Sequence, residues 1–304
     1  MGDSFGNLSG VVAVVAIPSQ VIWSYSVGGL VLAVGLATIF LRGNWPRAHG
    51  FDRLILFGPL FYAAPLAAFG TEHFTLAEAI ASMVPAFVPW HRFWTYFIGA
   101  CFIAAALSLV TGIQARLAAG LLALNFFLFV VLMDAPAWAQ DPHDRIALTL
   151  ALRELSFGSG ALALAASLSG RTRGAQIAAT IARYFIAIGV VFYSFQQFLH
   201  PHNVPGVPLA RLTPSYIYGH AIWAYVAAVV YAVGGILLLI GKRTRAAATW
   251  VGLAVLFVEL VVYVPIGVVD RASLSNGLNY VADTLMYCGA VLLLAGAMPR
   301  PEER

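Results

Sequence analysis

Charge is scarce in this chain, and lysine is almost absent. Only 10% of the 304 residues are charged, against about 25% in an ordinary soluble domain. That shortage excludes an ordinary soluble enzyme, a disordered segment and a basic tail for nucleic acid. Lys242 is the single lysine beside 16 arginines, so the net charge of +4 rests on arginine. Cysteine is equally sparse. Cys101 and Cys288 lie in apolar stretches with no CxxC between or around them, which leaves no disulfide framework or thiol redox motif. There is also no HExxH, no GxSxG elbow and no phosphate-cradling glycine loop. What is abundant is hydrophobicity, at 61% of residues and a mean hydropathy of +0.86. Lipid is the solvent this composition suits.

A helix needs about 20 residues at 1.5 Å each to cross a hydrocarbon core of about 30 Å. Nine runs qualify, over 20–41, 51–70, 92–112, 117–136, 147–169, 179–199, 218–240, 246–265 and 277–298. A closed barrel would instead alternate polar and apolar residues in strands of about ten, and no such pattern occurs. Asp3 stands where a secretory signal would carry a basic residue. The short run 11–17 ends at Pro18 and reads as a partly inserted lead-in to the first helix.

Arginine and lysine positions set the expected orientation. With the N-terminus outside and the C-terminus in the cytoplasm, twelve basic residues fall on the cytoplasmic side and five outside. Every inner loop then carries at least one, as the positive-inside tendency requires.

The chain also matches itself at a constant shift of 129 residues, from His73/His202 onward. Identical pairs include Pro85/Pro214, His91/His220, Trp94/Trp223, Gly112/Gly241, Arg116/Arg245, Pro136/Pro265 and Gly160/Gly289. Glu154 pairs with Asp283, acid for acid. Four spans per copy return the chain to its starting side, so the copies run parallel. The expected fold class is an all-α membrane protein of nine transmembrane helices. It comprises one leading helix within 1–50 and two parallel four-helix bundles, 51–170 and 171–304.

The first copy resembles the DoxX-like family of four-helix bacterial membrane proteins. The resemblance rests on FGPLFYAAPLAAFGTEHF (57–74), VPAFVPWHRFWTYFIGACFIAAALSLVTG (84–112), FLFVVLMDAP (127–136) and LRELSFGSGALALA (152–165). The second copy is similar to it more loosely, through FVELVVYVP (257–265) and Gly289. The resemblance implies a four-helix bundle per copy and a bacterial cytoplasmic (inner) membrane. By analogy with the thiosulfate:quinone oxidoreductase subunits of that family, it also implies quinone as a cofactor class and a redox protein as partner. Fold-level analogy of this kind is associational, and it assigns no catalytic set.

Three acids are expected to lie at depth within the membrane. Glu154 and Asp283 lie seven and six residues into their helices, and Glu259 lies six residues before Pro265. Each is therefore about 9–10 Å below the outer boundary. An ionised acid at the helix centre costs about 2.5–3.5 kcal/mol on insertion scales. Such residues must face the interior, be paired, or carry a proton. Glu154, Asp283 and Glu259 are accordingly the candidates for a proton relay or a quinone headgroup site. The alternative for Glu154 and Asp283 is a structural lock through Arg153, which adjoins Glu154.

Six of seven histidines and ten of thirteen acids fall on or toward the expected outer side. His73, His91, His202 and His220, with Trp94, Trp223 and Arg153, are the candidate ligand-binding residues. His200 and His202 form an HxH, and His73 aligns with His202, which raises metal binding as a hypothesis. No standard ligand spacing supports it, and imidazoles bonding loop carbonyls at the interface account for the same residues. Trp90, Trp94, Tyr96, Trp223 and Tyr225 likewise fit an interfacial aromatic belt.

Three functions of different class follow. The first is a redox-associated subunit that interacts with quinone or another small lipophilic ligand near the outer leaflet. The second is a proton-coupled small-solute transporter. The third is a non-catalytic scaffold for a partner enzyme. No haem, flavin or iron–sulfur signature is present, so a redox role would draw electrons from a partner.

Overall fold

The computed structural model describes residues 18–206, 211–269 and 274–300. Residues 11–17 and the loop residues Asp270 and Arg271 lie outside these ranges. Among the described residues nine helices are long and apolar enough to cross a membrane, and the protein is an all-α, multi-pass membrane protein. We label them α1 (Ser19–Leu41), α2 (Gly58–Thr75), α3 (His91–Thr111), α4 (Ala115–Gln140), α5 (Arg145–Ser167), α6 (Arg173–Leu199), α7 (His220–Leu239), α8 (Thr244–Val269) and α9 (Leu274–Ala297).

The exposed surface fits lipid. On α4, Leu117, Leu121, Leu124 and Leu128 are all exposed at three- and four-residue spacing, a continuous apolar stripe on the outside of the molecule. A soluble monomer does not present such stripes.

Local chemistry sets the helix ends. Asp144 caps α5 by accepting from Ile146 N at 2.8 Å and Ala147 N at 3.2 Å, and Thr172 caps α6 by accepting from Ala175 N at 3.1 Å. Left-handed backbone occurs at Trp90 and Gly219, at Gly112 and Gly241, and at Gln114 and Arg243. Each of these pairs is separated by 129 residues, the shift of the sequence match.

Two spans are not regular α-helix throughout. α4 contains a π-turn over Val130–Asp134 and α8 one over Glu259–Tyr263, again 129 residues apart. Each precedes a proline, Pro136 or Pro265, whose ring clashes with the carbonyl four residues back and which donates no hydrogen bond. A π-turn absorbs that defect without ending the helix. Neither π-turn ends its helix, and both spans continue through the proline.

Packing joins the two halves of the chain closely. α5 and α9 pack against each other, and each also packs on the first helix of the opposite half, α9 on α2 and α5 on α6. The result is two five-helix rings, α2–α3–α4–α5–α9 and α5–α6–α7–α8–α9, that share the α5–α9 edge. α1 lies outside the first ring against α2 and α3.

Glycine lets these helices pack tightly: at the shared edge a Cβ placed on Gly160 would come 2.5 Å from Ala290 Cα, and where α9 meets α2 one on Gly289 would collide with the backbone of Phe61 and Tyr62. Such small-residue contacts drive helix association where lipid removes the hydrophobic effect. Buried tyrosines fasten the same core. Tyr62 donates to Phe157 O at 2.9 Å and Tyr193 donates to Thr149 O at 3.0 Å.

Candidate functional site: an acid-rich cluster where α5 meets α9

α5 starts at Arg145 and α9 at Leu274, two or three residues earlier than expected. Glu154 and Asp283 are therefore each nine residues into their helices, about 13 Å along the axis. Arg153 stands between them. Its Nη1 donates to Asp283 Oδ2 at 2.5 Å and its Nη2 donates to Glu154 Oε1 at 3.1 Å. The three side chains retain only 16–18% of their exposure. Arg153 also lies over the Phe157 ring at 5.8 Å. The structural lock is thus present, and it ties one half of the chain to the other.

Further acids approach the lock. Glu72 is in the last turn of α2, because that helix runs to Thr75 rather than ending near residue 70. It lies within electrostatic reach of Asp283. Asp134, at the end of the α4 π-turn, lies within reach of Arg153 and Glu154. Tyr25 of α1 lies within electrostatic reach of Glu72, Asp283 and Glu259.

Glu259 opens the α8 π-turn and is only 2% exposed. Its Oε2 is buried without a hydrogen-bond partner among the described residues, as is Asp134 Oδ2. The charges of Tyr263 and Cys288, were they ionised, would feel Glu259 most directly on the second ring.

The electrostatic sum is lopsided. Glu154, Asp283 and Asp134 lie within reach of one guanidinium, Arg153; Glu72 lies within reach of Asp283, and Glu259 stands apart, near Tyr263 and Cys288. One cation balances one carboxylate, so among the described residues the remaining carboxyls need protons or external cations for neutrality. Glu72, Asp134 and Tyr25 were missed as members of this group. For Glu72 the signal was its closeness to a span end drawn too early. For Asp134 it was its position two residues before Pro136, inside an apolar run.

The histidines and tryptophans are arranged differently. His73 Nδ1 lies 2.7 Å from Phe69 O, and its ring meets Phe102 edge-on at 5.4 Å. His91 and His220 are the first residues of α3 and α7. The His202 and His220 rings lie 5.9 Å apart within the second half. His200 is the C-cap of α6, where burial and the nearby Arg145 guanidinium lower its imidazole below the ordinary value. Trp94 packs on Phe93 and Phe97, whereas Trp223 donates to Tyr218 O at 3.0 Å and packs on Phe257. His73 and His202 each find partners within their own half of the chain. Among the described residues no three His, Cys, Asp or Glu side chains are grouped to hold a metal ion. Cys101 and Cys288 are both free, and Cys288 Sγ donates to Gly252 O at 3.3 Å.

Comparison of the chain with family models, with curated proteins and with solved structures gave no match.

Proposed function

We propose that the protein takes up and releases protons at the α5–α9 carboxyl cluster, in step with a small lipophilic ligand of the quinone class near the outer leaflet. The observation that carries this reading is the surplus of carboxyls at membrane depth: Glu154, Asp283 and Asp134 near the single Arg153, Glu72 near Asp283, and Glu259 joined to them through Tyr25. Quinone reduction consumes protons as well as electrons, and a group of carboxyls with two orphaned oxygens, on Glu259 and Asp134, is suited to pass them. The electrons would come from a partner redox protein.

The same proposal includes a tandem pair of DoxX-like units in a bacterial inner membrane, N-terminus out and C-terminus in. Its support is the set of sequence motifs, the arginine distribution, and the recurrence of left-handed residues and π-turns at the 129-residue shift.

Native mass spectrometry of the full chain released from mild detergent tests the ligand. A quinone-sized adduct on the parent that is missing from Glu154→Gln/Asp283→Asn is the expected result. Bare polypeptide in both forms removes the quinone reading.

A second reading, a proton-coupled carrier, is favoured by the π-turns in α4 and α8. They are local irregularities inside two membrane spans, and π-turns of this kind are frequent at functional sites. Proton flux driven by solute in proteoliposomes, with no quinone adduct, would select it.

A further inference from the structure

At the end of the bundle opposite the carboxyl cluster, the helix ends enclose a cavity of about 980 Å³. Among the described residues its wall holds Arg47, Arg171, Arg183, Arg245 and Arg300, with Asp52 as the one acid, a formal sum of +4 in a concave space at the membrane boundary. The backbone does not account for this preference. The cavity is bordered by the N-terminal ends of α6 and α8 and by the C-terminal ends of α5 and α9, so their dipoles oppose one another. The arginines decide the sign.

Two of these arginines are held rigidly. Arg245 donates to Ala295 O at 2.9 Å and to Asp52 Oδ1 at 2.6 Å. Arg183 donates to Leu238 O and stacks on Tyr184 at 4.3 Å. Arg300 is looser, 63% exposed and 3.9 Å from Asp52 Oδ2, and Arg47 is exposed at the rim. A guanidinium presents a planar fork of donors that matches phosphate oxygens two at a time, which a lysine cannot do. The only lysine, Lys242, does not line the cavity.

Positive-inside bias explains arginines at this end of the molecule, but not their convergence. Arg116 and Arg173 belong to the same end and stand outside the cavity. The volume is within the range of small-molecule sites, and basic pockets between transmembrane helices suit anionic headgroups.

We propose that this cavity is a binding site for a phosphate-bearing anion, contributed by a lipid headgroup or by free phosphate, with a fixed floor of Arg183 and Arg245 and a mobile rim of Arg47 and Arg300. The site is independent of the carboxyl cluster and of the function proposed for it.

The test uses the full chain in a neutral detergent, with two probes measured separately. The first probe is phosphatidylglycerol, read as retained adducts by native mass spectrometry. The second is inorganic pyrophosphate, read as a shift in thermal midpoint. The variant is Arg47→Gln/Arg300→Gln, at two exposed positions, and the control is Arg116→Gln. Lipid adducts on parent and control, weakened about tenfold in the double variant, establish a headgroup site. A pyrophosphate shift with the same dependence and no lipid adduct establishes a free-anion site. Binding that is absent, or equal in the double variant and the control, overturns the proposal. A loss of the quinone adduct alone would leave it standing.

Discussion

Arg153 of α5 holds Asp283 of α9 at 2.5 Å and its own neighbour Glu154 at 3.1 Å, so one guanidinium bridges the two halves of the chain at their shared edge. Removing one partner of a buried pair typically costs about 3–5 kcal/mol, because the other charge is left uncompensated. Arg153→Met should therefore destabilise strongly, seen as a lower thermal midpoint in detergent. Arg153→Met/Asp283→Asn/Glu154→Gln should recover much of the loss, since no buried charge is then orphaned. Equal stability of parent and Arg153→Met would mean the bridge is idle.

Glu259 contrasts with that lock: among the described residues no cation lies against it and its Oε2 has no hydrogen-bond partner. Glu259→Gln preserves its shape and removes its exchangeable carboxyl proton. The expected outcome is a folded protein with a thermal midpoint close to the parent and a missing band in the carboxyl region of its infrared difference spectrum. An unchanged spectrum would assign proton exchange to the other acids.

The α5–α9 contact predicts opposite effects at two glycines. Gly160→Ala forces a methyl against Ala290 and should cost about 1–3 kcal/mol, as overpacking does. Gly120 on α4 has open space around it, and Gly120→Ala should be neutral or stabilise by up to about 1 kcal/mol through helix propensity. Thermal melts of both variants in one detergent provide the comparison.

Orientation is open to labelling. In a Cys101→Ser/Cys288→Ala background, a cysteine at Gly174 should resist a membrane-impermeant maleimide until cells are lysed. One at His143, whose side chain is 99% exposed, should react from outside. The reverse pattern would invert the topology.

The protein's nine spans were legible in the sequence because lipid leaves the backbone no partner but itself, so each apolar run of sufficient length must be a helix. The acids Glu154, Asp283 and Glu259 were legible for the same reason, as costly residues in those runs. Helix ends were read two to six residues short where polar side chains extend the helix beyond the apolar stretch, which hid Glu72 in the last turn of α2. The π-turns escaped notice because a proline states that a defect exists but not how the backbone absorbs it. Which helices touch was decided only by tertiary structure. Apolar runs look alike to lipid, and neighbours are selected by where glycines let backbones approach, at Gly160 against Ala290 and at Gly289 against Tyr62. That selection brought acids from three helices, Asp134, Glu154 and Asp283, to one arginine at one end, and five arginines around a cavity at the other.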